Sequence, residues 1–235
     1  MSISKRVSPS NDLLAALPAA ACRRILAACV PVSLELYQVL YKPGERVRHV
    51  YFPLAGVISR IAAIDGRMAL EVGLTGAEGV VGMSEALGLA VASDYAMAQS
   101  AGTALRMTAA AFRREVTHCP TFRRLLYRRS QLMLAESSQN AACFNFHGVE
   151  VRLARWLLTA RDRLDTTGPF QLTHNLLALM LGARRVAVTL AAVALQKRGL
   201  IRYRRGSVEI LDAKGLETAA CGCYRALKRA ARPTR

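Results

Sequence analysis

The stretch LGARRVAVTLAAVALQKRGLIRYRRG, from Leu181 to Gly206, constrains this chain more than any other. Val188, Ala191, Ala192 and Leu195 recur at helical spacing, so they form one stripe for burial. Just upstream, THNLLALML starts with Thr173, a hydroxyl residue suited to cap a helix, and stops at Gly182. The second helical run starts near Ala183 and ends at Gly199. Two strand-like pieces follow, LIRYRR and SVEIL, joined at Gly206. Helix, tight turn, helix and ribbon in this order predict a winged helix-turn-helix.

The charges in this unit point the same way. Arg184, Arg185 and Thr189 fall on the side of the second helix away from the apolar stripe. Arginine near a helix N-terminus opposes the macrodipole, so two in a row suggest an external anion. Such a helix lays its first turns in the major groove of DNA, where arginine pairs with guanine or neutralises phosphate. Thr173 and Ala187 are counted with them as DNA-facing, and the apolar side chains nearby suit thymine methyls. Arg202, Arg204 and Arg205 on the ribbon are suited to grip phosphate. The chain has 235 residues and a net charge of +17. Residues 1–150 carry 16 Lys and Arg against 11 Asp and Glu, whereas residues 151–235 carry 17 against 5. A polyanionic partner therefore belongs to the last third of the chain.

Upstream, the pattern changes twice. Residues 11–29 read as helical, with Asn11 or Asp12 as cap and Pro18 opening a second helix. From Val32 to about Met107, short alternating runs are separated by glycine turns. Asp65-Gly66 is a strong hairpin signal between two of them. This predicts a compact antiparallel β-roll or barrel. Helical periodicity then returns: Thr108 caps a short helix and Pro120 opens a long one. Leu125 and Leu132 lie seven apart, as do Leu126 and Met133, a spacing that can form a seam between two helices, although Asn140 interrupts it. The same stripe could instead pack on the chain's own roll; the long helix after a small β-domain favours self-association. GVEVRLARWLLTARDRL is a further amphipathic helix with Trp156 as a packing residue, and DTTGP (165–169) is a turn.

Residues 172–211 resemble the winged helix of the Crp/Fnr family of bacterial transcription regulators, and the order roll, long helix, winged helix resembles theirs from about Leu13 onward. The resemblance is most specific at LGARRVAV. It implies that Arg185 stands where the family places its base-reading arginine. Val186 replaces a common glutamate, and Leu190 an arginine of the cyclic-AMP-responsive members, so a different target sequence is implied. In the cyclic-nucleotide binders a glutamate holds the ribose and an Arg-Ser pair the phosphate. In GAEGVVGMSEALGLAVASDYAMAQSAGTALRM, Met83 matches the glutamate and Ala92-Ser93 the Arg-Ser pair. Met83, Ala92 and Ser93 are then the candidate effector pocket. Loss of the arginine, with Asp94 beside it, disfavours a cyclic nucleotide in the usual pose. Gly76 and Gly79 are read as turn residues rather than a phosphate cradle.

Some members of the family hold an iron–sulfur cluster or haem. Here Cys22, Cys29, Cys119, Cys143, Cys221 and Cys223 show no C-x2-C pair, and a cluster normally takes four well-spaced thiolates. They are read as buried free thiols, so neither cluster nor haem is expected and no metal ligand is assigned. No catalytic motif appears either. No apolar run reaches the roughly 20 residues that span a bilayer, and residues 1–14 lack a secretory h-region.

The fold class expected is α+β: an N-terminal antiparallel β-roll (double-stranded β-helix) with flanking helices, a long dimerisation helix and a C-terminal winged helix-turn-helix. The expected division is 1–118 sensory roll, 119–147 dimerisation helix and 148–235 DNA-binding domain. The function expected is a cytoplasmic, homodimeric, sequence-specific regulator under an unidentified effector. Its partners would be double-stranded DNA, a second copy and, as the resemblance implies, RNA polymerase, with no membrane. The competing readings are a basic architectural DNA binder without sequence choice and an enzyme built on the roll.

Overall fold

The alternation in residues 30–108 resolves into two antiparallel sheets. A computed structural model describes residues 11–84, 88–164, 166 and 168–231. Residues 1–10, Glu85 to Leu87 of the expected pocket stretch, and Asp165 and Thr167 of the DTTGP turn lie outside the described residues. One sheet joins β1 (Val30–Leu34), β7 (Gly102–Thr108) and β3 (His49–Ala55), in that order. The other has the order β2 (Val39–Tyr41), β6 (Tyr95–Ala98), β4 (Ile58–Ile64) and β5 (Arg67–Thr75). The sheets do not close into a barrel, which narrows the roll-or-barrel expectation. Asp65 and Gly66 both take positive φ, 51° and 73°, and turn β4 into β5 as the dipeptide predicts.

Strand alternation decides what each sheet face touches. On β4, Ile58 points between the sheets, into a cluster with Leu34, Tyr41, Ala96 and Ala104. Ser59 and Ile61 point the other way, towards the C-terminal half. There Ile61, Val57, Leu74 and Met97 share one core with Leu157, Met180, Leu181, Val188 and Leu195. The roll and the winged helix therefore bury apolar surface against each other.

The helices follow their caps. Asn11 accepts from Leu14 N to start α1 (Asp12–Ala15), and Thr108 accepts from Ala111 N to start α3 (Ala109–His118). Between them in sequence, α2 (Ala19–Ala27) buries Ala21 and Ile25. Pro120 opens α4 (Pro120–Phe146), which runs for 27 residues. Its inward residues are Phe122, Leu126, Arg129, Glu136, Asn140 and Cys143, with Met133 partly buried among them.

That pattern corrects the expected seam. Leu126 is 0% exposed and packs with Phe52, Phe112 and Phe122, and Met133 lies against the same cluster. Both belong to the core of their own chain, because this heptad stripe faces the roll. Leu125 and Leu132 sit one position round the helix and stay half-exposed. Asn140 does not interrupt packing: Arg155 Nη1 donates to its Oδ1 at 2.6 Å, and its own amide donates to the Val72 carbonyl at 3.4 Å.

The C-terminal part comprises α5 (Val149–Leu164), β8 (Phe170–Gln171), α6 (His174–Leu181), α7 (Arg185–Lys197), β9 (Ile201–Arg204), β10 (Ser207–Ile210), α8 (Ala213–Ala219) and α9 (Cys223–Ala231). The three short strands form one sheet in the order β8, β10, β9. The α+β class stands, with the winged unit at the C-terminal end. No single helix among the described residues is long and apolar enough to cross a membrane.

Candidate nucleic-acid interface and effector pocket

Gly182 ends α6 in the left-handed conformation, φ 52° and ψ 47°, and the next helix leaves at 106°. A Cβ on this residue would also lie 2.7 Å from Leu70 Cδ1 of β5, so the turn is pressed against the roll. On α7, Val188, Ala191, Ala192 and Leu195 are buried, and Val186 and Leu190 are 70% and 66% exposed. Arg184 occupies the N-cap without a side-chain cap bond, and Arg185 opens the helix; both are exposed. An apolar face and two arginines thus look outward from the first turns of one helix.

The remaining expected residues divide into free and engaged. Thr173 is exposed, and its hydroxyl accepts from Leu176 N as the α6 cap. The Thr189 hydroxyl donates to the Arg185 carbonyl at 3.0 Å and lies 3.1 Å from His174 Nδ1. It is therefore used within the fold, to lock α7 to α6. His174 stacks on Tyr203 with ring centroids 4.3 Å apart, and burial together with the Arg185 charge lowers its pKa. The Tyr203 hydroxyl donates to the Leu172 carbonyl, and Tyr203 N donates to Gln196 Oε1, which ties ribbon to helix. Ala187 is half-buried.

On the ribbon, Arg202 pairs with Glu209 across the strands at 2.9 Å, and Arg204 and Arg205 are exposed. Arg205 and Gly206 form the tip, with φ of 50° and 75°, and Arg204 stands opposite Ser207. This is the geometry of a two-residue hairpin in which glycine or asparagine is preferred at both places. Arg205 therefore holds a left-handed conformation against its backbone preference.

A second site lies between the roll and α4. Met83, Ala92 and Ser93 line one cavity of about 280 Å³ with Tyr41, Arg60 and Asp94. The sequence reading missed Arg60. Strand alternation sends it inward, and Gly73 on β5 leaves it room, since a Cβ there would lie 2.8 Å from its Nη2. Arg60 Nη1 pairs with Asp94 Oδ2 at 3.3 Å. Burial raises the Asp94 pKa and the Arg60 charge lowers it in part. The pocket has its cation, already neutralised by its own carboxylate. Gly76 and Gly79 admit neighbours rather than a phosphate: the Arg163 carbonyl lies 2.9 Å from a Cβ on the first, and Arg129 Nε 2.9 Å from one on the second.

Polar groups also cross between the halves. Trp156 Nε1 on α5 donates to Glu71 Oε1 on β5, and the Ser59 hydroxyl lies 2.7 Å from Glu71 Oε2. Burial pushes the Glu71 carboxyl up to about 7, against the opposing effect of those two bonds. Beside it, Arg163 bridges Glu78 and Glu136 at 3.2 and 2.8 Å, and Arg129 also reaches Glu78 at 3.0 Å. Trp156 is therefore a connector as well as a packing residue.

The architecture is a roll, a long helix and a winged helix-turn-helix, in that order. Residues 151–219 match the model of the Crp-like helix-turn-helix domain. No curated protein matches the chain by sequence. Among solved structures, it is similar to the c-di-GMP-responsive global regulator CLP of Xanthomonas campestris, with 18% identity and a TM-score of 0.67 over 82% of this chain and 99% of that one. It is similar to FixK2 of Bradyrhizobium japonicum, with 16% identity and a TM-score of 0.70 over 82% and 98%. A CRP/FNR-family regulator of Thermus thermophilus gives 23% identity and a TM-score of 0.65 over 81% and 98%. The fold is that of the Crp/Fnr regulators, and the sequence of residues 151–219 carries the Crp-like helix-turn-helix domain within it.

Proposed function

We propose that the chain is a homodimeric, sequence-specific transcription regulator acting on double-stranded DNA in the cytoplasm, rather than an enzyme. The observation that carries this reading is the outward face of α7: Arg184, Arg185, Val186 and Leu190 exposed together over a fully buried stripe. Arg185 reads a base edge, Arg184 and the wing arginines hold phosphate, and the apolar residues meet thymine methyls. The division of labour follows the expected limits, with 1–118 sensing, 119–147 pairing and 148–235 binding DNA.

Pairing uses the side of α4 left uncovered. Leu125, Arg128, Leu132, Ala135, Ala142 and Phe146 lie on one heptad stripe, and Phe146 is 78% exposed. Two-fold symmetry then sets a palindromic operator with half-sites about one DNA turn apart. An effector in the cavity lined by Met83, Ala92 and Ser93 acts by differential affinity for two arrangements of the dimer. That cavity also touches Ser130, Met133 and Leu134 of α4, so its contents bear directly on the pairing helix. RNA polymerase is the further partner that the family resemblance implies.

The test is a titration of the full chain with genomically recovered sites and with random duplexes at several salt concentrations. A regulator binds its site about 10³-fold or more tighter than random DNA. Equal affinity for both would make the protein an architectural binder and end this reading.

A further inference from the structure

Cys143, His147, Cys221 and Cys223 come from two segments far apart in the chain. Cys143 lies on the last turns of α4, His147 caps that helix, Cys221 lies in the turn after α8, and Cys223, beyond Gly222, opens α9. The three sulfurs and a ring nitrogen all lie within 4.8 Å of one another. Cys143 Sγ is 3.5 Å from Cys221 Sγ, and Cys223 Sγ is 3.7 Å from His147 Nδ1. A tetrahedral zinc ion with Zn–S bonds of about 2.3 Å sets neighbouring donors roughly 3.5 to 3.8 Å apart. We propose that these four side chains form a Cys3His site for one zinc-like divalent cation.

The donor chemistry narrows the cation. Thiolate and imidazole favour zinc over magnesium or calcium, which take oxygen ligands. The short mutual separations suit a mononuclear ion, because a multi-iron cluster interposes its own atoms between the thiolates. The surroundings are those of a metal site as well. Gln139 Nε2 lies 3.1 Å from Cys223 Sγ, a donor to a bound thiolate. The sulfurs are buried, while His147 is half-buried and Gly148 and Gly222 are exposed, which leaves a route from solvent. Binding passes the proton of each ligating thiol to solvent, up to three per ion, so affinity rises with pH.

The position gives the site a consequence. His147 and Gly148 connect α4 to α5, the joint between the pairing helix and the DNA-binding part. A bound ion fastens the Cys221–Cys223 turn, and with it α9, to that joint. The cation would then set the stiffness of the hinge through which the proposed regulator couples its halves.

The experiment uses the full chain, reduced and stripped with a chelator, then titrated with Zn²⁺ alone or with Co²⁺ as a coloured substitute. One ion per chain is expected, with the absorption of a tetrahedral thiolate-bound Co²⁺. Cys223→Ser and His147→Gln should each weaken Zn²⁺ binding about 100-fold or more. Cys22→Ser and Cys29→Ser should leave it unchanged. His147→Gln, at a half-exposed helix end, keeps the test open if the serine variant does not fold. A stoichiometry near zero, a Cys143–Cys221 disulfide with no metal uptake after reduction, or equal loss in the Cys22 and Cys29 variants would overturn the site. These readouts need no DNA, so failure here is distinct from failure of the regulator reading.

Discussion

Trp156 Nε1 donates to Glu71 Oε1 at 2.7 Å, and with that bond the first helix of the C-terminal part holds a buried carboxyl on the roll. Both residues are at most 5% exposed, so the link is sealed from water. A carboxyl there has no nearby solvent to support its charge, which is why it keeps its proton to a higher pH. The roll and the winged helix are therefore joined through a group whose charge changes near neutrality.

The stability of the chain should reflect this. Folded Glu71 holds its proton up to about pH 7, whereas the unfolded chain releases it near 4.5. The folded form binds more protons between those values, so stability is greatest below about pH 4.5 and is lost as pH rises through 7. The loss amounts to about 3 kcal/mol. Glu71→Gln keeps an acceptor for Trp156 and removes the charge. Urea unfolding at pH 5 and pH 8 should show this decline in the wild type and not in the variant. Parallel pH profiles for the two proteins would place the carboxyl's titration elsewhere.

Much of the molecule could be read from sequence because its punctuation is local. Asp65-Gly66 forms the β4–β5 turn, Thr173 caps α6, and the Val188–Leu195 stripe is buried. What stayed hidden depends on residues far apart in sequence. Two heptad stripes run side by side on α4 with the same period, and periodicity alone does not say which one meets the roll. Leu126 and Met133 therefore meet a different neighbour from the one their spacing suggests. Arg60 enters the pocket by strand parity, a signal present in sequence once Ile58 and Ile61 are placed on opposite faces. The short helices α8 and α9 rest on packing against α5 and α4 rather than on their own propensity. Cys143 and Cys221 are 78 positions apart, and nothing in their spacing brings them together.

Arg185→Ala should reduce discrimination between operator and random duplex by about 1–3 kcal/mol, as loss of one bidentate base contact does. Arg204→Ala should instead weaken both affinities alike and lower the salt slope by about one. Fluorescence anisotropy across a salt series separates the two. An unchanged specificity ratio in Arg185→Ala would remove that residue from base reading.

The wing tip sets stability against binding. Arg205 holds a φ of 50°, which asparagine tolerates better than arginine. Arg205→Asn should therefore stabilise the fold by about 1 kcal/mol while weakening DNA binding through one lost phosphate contact. Thermal melts and duplex titrations on the same preparation should move in opposite directions. A variant that loses both stability and affinity would show that the arginine side chain supports the ribbon itself.

The two stripes of α4 are separable by substitution. Leu132→Glu places a charge on the uncovered stripe and should convert dimer to monomer in sedimentation velocity, with the fold intact. Leu126→Ala opens a cavity in the chain's own core and should cost about 2–5 kcal/mol of stability without changing the oligomeric state of the folded protein. A Leu132→Glu dimer of unchanged affinity would move the self-association surface off this stripe.

The Arg60–Asp94 pair makes the cavity between the roll and α4 neutral from within, and removing one partner should change what it binds. Asp94→Asn leaves Arg60 largely buried without a counter-charge, which costs about 3 kcal/mol of stability. An anion entering the cavity can take the place of the lost carboxylate. The variant should therefore be stabilised by inorganic phosphate or a cyclic nucleotide at concentrations that leave the wild type unmoved, with affinity raised about tenfold or more. Arg60→Ala in the same background should abolish the effect. Thermal shift against phosphate, with sulfate as a second anion, measures it directly. If the wild type itself binds cyclic nucleotide as tightly as the variant, Asp94 does not mask the cation, and the pocket's selectivity has another origin.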